Sequence, residues 1–183
     1  SFMKRCKSVI TKPFNHFNFQ ENKQSYRVLA ELITENQIKE IKEIFNNAFF
    51  QEYIDKKYEL RIFYWRGAFF PMAIFSQNDS KTKIDFRNYN SEIPNRRVPI
   101  KVDKYYLEKL AKLANKMHLD TGSFDILVDK SDKYYFLEVN PIGQFGMVSI
   151  PCNYYIERFI AKDLIKSVSE GSKISVDNGL INF

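Results

Sequence analysis

Several stretches of the chain alternate apolar and polar residues, and this alternation predicts a largely antiparallel sheet. The clearest pair comprises residues 124–129 and 134–140, which are separated by four polar residues. If those four residues form the loop of a hairpin, the last residue of the first strand pairs with the first residue of the second strand. Counting back along both strands then places Asp125 directly opposite Glu138.

The two faces of this hairpin differ in character. Neighbouring residues of a strand point to opposite faces, so one face is uninterruptedly apolar and is predicted to be buried. Its residues are Phe124, Ile126, Val128, Tyr135, Leu137 and Val139. The other face carries Asp125, Glu138 and, one alternation further on, Asn140. Two interpretations are open: a magnesium site built from two carboxylates and an amide oxygen, or a solvated face that tolerates an acidic pair.

The remaining pattern predicts further strands and three helices. The strands are expected at residues 8–11, 26–33, 49–54, 58–66 and 68–76. The helices are expected after Thr34, after Asp103 and over residues 154–168. Thr34 and Gln37 have the spacing of a capping box, Asp103 is a good N-cap, and the last helix is expected to bury Ile156, Phe159, Ile160, Leu164 and Ile165.

Other residues qualify this pattern. Pro71 indicates that strand 68–76 is an edge strand or contains a bulge. The polar stretch 77–103 is long enough to be a functional loop. Glu59 and Arg61 alternate with apolar residues on strand 58–66, so both project from one face, which is either part of a site or simply half exposed.

Length and composition limit the class of protein. The 183 residues, 44% of them hydrophobic, can form one domain or two small subdomains with a real core. The longest nearly apolar stretch, 68–75, is too short to span a bilayer, so no membrane association is expected. Two isolated cysteines favour a reduced, cytoplasmic setting and give little support to zinc binding. The charge of +6 is spread along the chain, and no motif supports nucleic-acid binding.

Five motifs together resemble one family. They are Thr11-Lys12-Pro13; Gln51-Glu52-Tyr53-Ile54 followed by Glu59-Leu60-Arg61; Asp85-Phe86-Arg87; Asp125 thirteen residues before Glu138; and the run Phe-Leu-Glu-Val-Asn-Pro-Ile-Gly-Gln-Phe at 136–145. In these motifs the sequence is similar to ATP-grasp ligases. It resembles most closely the peptide-modifying ligases of the graspetide type, particularly the grasp-with-spasm maturases.

The resemblance implies a fold and a domain organisation. The expected class is α+β, an ATP-grasp fold with an antiparallel sheet, packed helices and an incomplete N-terminal lobe. Residues 1–50 would be a remnant of the nucleotide-binding N-lobe, and residues 51–183 the C-terminal lobe with the metal site. About a dozen residues precede Lys12, and residues 15–25 contain no glycine-rich phosphate loop, so the chain is expected to be a fragment that is inactive alone.

The resemblance also implies roles for individual residues. Lys12 would meet the phosphates of ATP, whereas Glu52, Tyr53 and Ile54 would form the hinge against the adenine. Glu59 would hold the ribose hydroxyls. Arg61 and Arg87 would face the γ-phosphate and the acyl phosphate, and Asp125, Glu138 and Asn140 would bind Mg²⁺. The residue types suit these tasks, because metal ions, lysine and arginine offset phosphate charge.

The activity implied is ATP-dependent activation of a carboxylate as an acyl phosphate, followed by attack of a hydroxyl or amine. In graspetide maturation the carboxylate is an Asp or Glu side chain of a ribosomally made precursor peptide, and the nucleophile is a Ser, Thr or Lys side chain. The alternative is a truncated, non-catalytic module that binds a peptide or a nucleotide. Whether the product is an ester or an amide, and the oligomeric state, stay open. The glycines of residues 143–146 would lie beside this site or form a plain turn before the last helix.

Overall fold

A computed structural model of the chain defines its secondary structure and side-chain contacts. It describes residues 6, 8–13, 18–21, 24–27, 29–34, 36–37, 48–88, 90–92 and 94–169. The chain divides into two units: Ser1–Asp55 with Ser76–Asn95, and Lys56–Phe75 with Arg96–Phe183. We call these the first and the second unit. The assignment of residues 1–50 and 51–183 to two lobes is a different kind of division and stays a prediction.

The first unit contains a three-stranded antiparallel sheet and a separate hairpin. The strands are β1 (Val9–Pro13), β2 (Asn18–Glu21), β3 (Gln24–Arg27), β4 (Glu31–Ile33) and β5 (Ala48–Glu52). The sheet has the order β4-β1-β5, and β2 pairs with β3. The strands expected at residues 8–11 and 49–54 are confirmed within one or two residues. The strand expected at 26–33 is wrong, since Arg27 and Glu31 belong to different sheets.

The capping box at Thr34 is confirmed. The backbone N–H of Thr34 donates to Gln37 Oε1 at 2.9 Å, and the backbone N–H of Gln37 donates to Thr34 Oγ1 at 3.3 Å. These two bonds satisfy donors that the first turn of a helix leaves without intrahelical partners. Residues 36–37 are helical, and the rest of the expected helix lies outside the described residues.

The second unit is built on a five-stranded antiparallel sheet. Its strands are β6 (Lys56–Trp65), β7 (Ala68–Phe75), β8 (Arg96–Pro99), β9 (Thr121–Asp129) and β10 (Tyr134–Asn140). Their order is β10-β9-β6-β7-β8. The helices are α1 (Lys104–Lys116), α2 (Gly146–Cys152) and α3 (Ile156–Ser169). Asp103 caps α1 as expected, because its side chain accepts from the N–H of Tyr106 at 3.1 Å. The short helix α2 was not expected from the sequence.

Strand β7 corrects one prediction. It lies between β6 and β8, so it is neither an edge strand nor bulged. The carbonyl of Pro71 accepts from the N–H of Ile100, just past the end of β8. In an antiparallel strand the N and the carbonyl of one residue point to the same side, so the missing N–H of Pro71 points past the last paired residue of β8 and breaks no ladder bond. Strand β8 also shows that the polar stretch 77–103 is not a single loop.

One face of the five-stranded sheet forms the main core with α1. Its buried members are Leu60, Ile62, Tyr64, Phe69, Ala73, Leu107, Leu110, Ala114, Phe124, Ile126 and Val128. Apolar residues at every second position of three neighbouring strands meet the apolar stripe of α1. Burying a large apolar side chain of this kind contributes about 1.5–3 kcal/mol, so this layer holds the sheet and α1 together.

Helices α2 and α3 cover one end of the opposite face. Phe63 packs against Phe145 with ring centroids 6.1 Å apart, and Phe70 packs against Phe159 at 5.4 Å. The indole N–H of Trp65 donates to Asp163 on α3 at 2.9 Å. The outward side of α3 differs from the prediction, since Leu164 and Ile165 are exposed rather than buried.

Among the helices of the described residues, none is long and apolar enough to cross a membrane. The cytoplasmic location stays a prediction.

Candidate functional site

The hairpin of β9 and β10 brings the predicted carboxylates together through a different register from the one expected. Tyr134 pairs with Val128 and not with Asp129, so the strands start one residue out of the predicted register. A shift between Phe136 and Glu138 then leaves Leu137 as an extra residue and restores the register. Glu138 therefore lies opposite Asp125, as predicted.

The bulge also decides which tyrosine of β10 faces the core. Tyr134 packs against the core and stacks on Tyr106 with ring centroids 4.4 Å apart. Tyr135 pairs with Leu127 on the other face, and its hydroxyl donates to Asp129 Oδ2 at 3.1 Å. Placing Tyr135 on the apolar face was wrong, because before the bulge every residue of β10 is displaced by one position.

Direct cross-strand partners share a face. The pairings of β9 with β6 and with β10 therefore define one polar face of the sheet. Arg61 lies opposite Asp125, Asp125 lies opposite Glu138, and Asn140 lies opposite Ser123. We use "polar face" for the following residues on the side of the sheet opposite α1: Lys56, Glu59, Arg61, Arg97, Ser123, Asp125, Glu138 and Asn140. All of them belong to the second unit.

Arg61 and Asp125 form a two-pronged ion pair at the centre of this face. Nε donates to Oδ1 and Nη2 donates to Oδ2, both at 3.0 Å. The two side chains are 15% and 16% exposed, so water screens the pair only weakly. The planar guanidinium matches the two carboxylate oxygens, which fixes the orientation of both groups. Nη1 also donates to the sulfur of Met147 on α2.

The surroundings of Asp125 raise the pKa of its carboxyl group. Burial is the largest effect on its carboxyl group; together with the negative charges of Glu138 and Glu59, and against the lowering effect of Arg61, it raises the pKa of Asp125 to about 6. Two like charges directly opposite each other on neighbouring strands repel. A cation between Asp125 and Glu138 would remove this repulsion and favour the ionised form.

The donor set of Asp125, Glu138 and Asn140 is compatible with magnesium. The amide oxygen of Asn140 accepts from the N–H of Ile142 at 3.0 Å and retains a second lone pair. In the described part of the chain no three His, Cys, Asp or Glu side chains form a metal-binding group. The candidate set has two carboxylates and one amide. Magnesium usually keeps several waters and takes few protein ligands, which suits such a set.

The segment after β10 packs against β9 at Ser123. A Cβ atom on Gly143 would lie 2.6 Å from both the carbonyl carbon of Gly122 and Ser123 Oγ. Only a glycine allows the backbone to approach so closely. The hydroxyl of Ser123 is buried, and among the described residues it has no hydrogen-bond partner. Residue 143 therefore anchors the segment that follows Asn140, beside the proposed metal ligands.

Replacing Gly143 by Ala is expected to destabilise the second unit by about 1–3 kcal/mol, since the new methyl group must displace backbone atoms. Urea unfolding followed by circular dichroism measures this loss. Gly146→Ala is the matched control, because nothing lies within 4 Å of a Cβ at that position. Equal stability of the two variants would contradict the close approach.

Glu59 has a partner that sequence reasoning missed. Lys56 Nζ donates to Glu59 Oε1 at 2.7 Å, and the two side chains are 3% and 11% exposed. Residues three apart on a regular strand point to opposite faces, so the alternating pattern gives no sign of this contact. A register shift between Lys56 and Tyr58 explains it.

Arg97 on β8 is the second residue that sequence reasoning missed. It lies opposite Ile74, which in turn lies opposite Glu59, so the three share the polar face. Two strand spacings separate Arg97 from Glu59, roughly 10 Å. Its Nε atom is buried and has no hydrogen-bond partner within the part of the chain that the structure describes. A buried donor without a partner is costly, so this atom marks a place where an anionic group would be stabilised.

Four of the five predicted residues in the first unit lie on neighbouring strands or directly after them. Lys12 on β1 pairs with Phe49 on β5, and its ammonium lies 5.4 Å from the centre of that ring. Strand β5 ends at Glu52, which is exposed, and the N–H of Tyr53 donates to the carbonyl of Ser8 at 2.9 Å. Ile54 follows and is half-buried. Residues 52–54 are therefore fixed to the residue that precedes β1, the strand that carries Lys12.

Arg87, the fifth, is held by Asp85. Its Nε and Nη2 donate to the two carboxylate oxygens of Asp85 at 2.8 and 2.6 Å. Burial raises the pKa of Asp85, but the hydrogen bonds and charge of Arg87 and the N–H of Ala30 outweigh it, so the pKa lies below its ordinary value. Asp85 thus orients Arg87. Its Oδ2 atom also accepts a hydrogen bond from the backbone N–H of Ala30 at 3.3 Å.

The antiparallel sheets, the packed helices and the acidic hairpin define an ATP-grasp fold. The α+β fold class and the predicted resemblance to graspetide-type ligases are confirmed by solved structures. One is a RiPP-associated ATP-grasp ligase from Chryseobacterium gregarium, in complex with ADP and with a leader and core peptide. It is 24% identical to this chain and superposes with a TM-score of 0.82. The match covers 98% of this chain and 53% of the ligase.

Two further structures are similar. One is macrocyclase MdnC from Microcystis aeruginosa MRC, bound with precursor peptide MdnA. It is 25% identical with a TM-score of 0.73, and the match covers 89% of this chain and 48% of MdnC. The other is ATP-grasp ligase PsnB, complexed with a phosphomimetic variant of its minimal precursor, Mg and ADP. It is 17% identical with a TM-score of 0.64, and the match covers 90% of this chain and 48% of PsnB. The chain therefore spans about half the length of these structures. No protein-family model and no curated protein matches the sequence.

Proposed function

We propose that the protein carrying this chain is an ATP- and Mg²⁺-dependent carboxylate ligase that modifies a ribosomally made precursor peptide. One observation carries the proposal: Arg61, Asp125, Glu138 and Asn140 share the polar face of an ATP-grasp sheet. The fold supports it, since similar structures hold ADP, Mg and precursor peptides. The bond formed would join an Asp or Glu side chain to a Ser, Thr or Lys side chain.

The residues of the polar face would divide the work by charge. Asp125, Glu138 and Asn140 would hold Mg²⁺ through hard oxygen donors, and the metal would supply positive charge to offset the charge of the phosphates. Arg61 holds Asp125 in place through two hydrogen bonds and keeps a cation on the face. Glu59 would accept hydrogen bonds from the ribose hydroxyls.

Roles in nucleotide binding are also proposed for residues of the first unit. Lys12 would meet the phosphates, and Glu52, Tyr53 and Ile54 would meet the adenine edge with backbone groups. Arg87, oriented by Asp85, would stabilise negative charge on the transferred phosphoryl group or on the carboxylate.

The reaction would proceed in two steps. An oxygen of the peptide carboxylate attacks the γ-phosphorus of ATP, and ADP leaves, which gives an acyl phosphate. A hydroxyl or amine of the same peptide then attacks the acyl carbon, loses its proton and expels inorganic phosphate. Holding both peptide side chains in reach converts the second step into an intramolecular one.

The direct test uses the protein that carries this chain and a short acidic peptide rich in Thr and Ser encoded beside its gene. We expect ADP and phosphate release that depends on peptide and Mg²⁺, with the loss of one water from the peptide mass for each bond. Hydroxylamine cleaves esters under mild conditions and spares amides, so it would distinguish the two products. Nucleotide binding without any peptide-dependent turnover would favour the non-catalytic module instead.

A further inference from the structure

Strand β6 begins with a bulge that changes which face its first residue meets. Tyr58 pairs with Val128, whereas Lys56 pairs with Asp129, so two residues of β6 span one step of β9 and Lys57 is the extra residue. Without the bulge, Lys56 would point to the face opposite that of Glu59. With it, both side chains lie on the polar face.

The contact made in this way is short and nearly free of water. Lys56 Nζ lies 2.7 Å from Glu59 Oε1, with the lysine side chain 3% exposed. Burying an ammonium group is very unfavourable unless a charged partner stands beside it. The carboxylate of Glu59 therefore compensates the burial of this ammonium group.

The neighbouring lysine offers a natural contrast. Lys57 Nζ lies 2.8 Å from Asp132 Oδ1, but these side chains are 48% and 65% exposed. An exposed pair of this kind contributes little, because both side chains remain mobile and hydrated. Two adjacent lysines of one bulge thus make ion pairs of nearly the same length, 2.7 and 2.8 Å, one buried on the polar face and one at the surface.

We propose that Lys56 is a positioning residue that orients the carboxylate of Glu59 toward a pair of neighbouring hydroxyl groups, the ribose diol of the nucleotide. This inference rests on the proposed function, in which Glu59 binds the ribose. A carboxylate discriminates for hydroxyl groups only if its oxygens are held in the correct direction. The ammonium of Lys56 fixes that direction through a charge-assisted hydrogen bond.

The test compares ATP with 2′-deoxy-ATP and 3′-deoxy-ATP in the protein that carries this chain. In the unmodified protein we expect the KM to rise about tenfold or more when a bound hydroxyl is missing, since a hydrogen bond to a charged group is lost. In Lys56→Met we expect a higher KM for ATP. We also expect the KM for each deoxy-ATP to be no more than about twice the KM for ATP. Lys57→Met, the matched control, keeps the ratio of these KM values that the unmodified protein has.

Discrimination between nucleotides separates positioning from a purely structural role, which would weaken binding of all three nucleotides equally. Lys56→Met that folds and keeps the full ratio overturns the proposal. If this variant does not fold, Lys56→Gln is used, because it keeps a polar group at the buried position but lacks the charge and is one bond shorter than lysine; we expect a reduced ratio, and an unchanged ratio overturns the proposal. A protein that never discriminates between the nucleotides contradicts the role of Glu59 in the proposed function instead.

Discussion

Replacing Glu138 by Gln is expected to raise the Mg²⁺ concentration needed for half-maximal ATP turnover by about a hundredfold or more. Groups that only orient metal ligands already contribute about 10- to 100-fold to metal affinity, and Glu138 is proposed to bind the metal directly. The substitution keeps size and shape but removes the charge opposite Asp125. The measurement is ADP release against Mg²⁺ concentration at fixed ATP and peptide.

The control for this experiment lies in the same hairpin. Asp132 is an exposed acidic residue of the turn, paired with Lys57, and Asp132→Asn should leave the Mg²⁺ dependence unchanged. Asn140→Ala should shift the dependence in the same direction as Glu138→Gln, since it removes the proposed amide ligand. A Glu138→Gln protein with unchanged Mg²⁺ dependence would rule out the metal assignment, whatever its maximal rate.

Replacing Arg61 by Met is expected to cost about 3–5 kcal/mol of folding free energy at neutral pH. Removing one partner of a buried ion pair leaves the other charge buried without compensation. Here the remaining charge is Asp125, which also faces Glu138. Urea unfolding in magnesium-free buffer measures the loss, which should be accompanied by loss of turnover.

The pH dependence of this loss has a defined sign. The folded pKa of Asp125, about 6, lies above the ordinary value of 3.8, so the folded state binds this proton more readily than the unfolded state. Its contribution therefore favours folding at low pH and is lost as the pH rises through about 6. Removing Arg61 raises this pKa further, so the variant should be penalised much less at pH 5 than at pH 8.

Arg66→Met is the matched comparison for Arg61→Met. Arg66 pairs with Asp163 at 3.1 Å, but these side chains are 23% and 32% exposed, and the indole of Trp65 also donates to Asp163. We expect a loss of about 1 kcal/mol or less with little change between the two pH values. Equal losses for the two variants would mean that Asp125 is better solvated than its burial indicates.

The candidate site was largely predictable because its residues follow simple periodicities. Glu59 and Arg61 alternate along one strand, and Asp125 and Glu138 are separated by a hairpin of predictable length. The predicted facing of Asp125 and Glu138 is confirmed, although the predicted pairing of Asp129 with Tyr134 is wrong. After the turn, each residue of β10 pairs one position earlier on β9 than predicted. The extra residue Leu137 shifts the pairing back by one position, so Glu138 has its predicted partner.

The sequence by itself determined most strands, the capping residues Thr34 and Asp103, and the carboxylates and amide of the hairpin, because short-range periodicity and local hydrogen bonding decide these features. The tertiary structure alone decided that Arg61 is held by Asp125, that β7 is internal, and that Arg97 shares the polar face. It also decided that Lys56 reaches Glu59. These features depend on strand order and on bulges, which arise from packing between distant segments and leave no local pattern in the sequence.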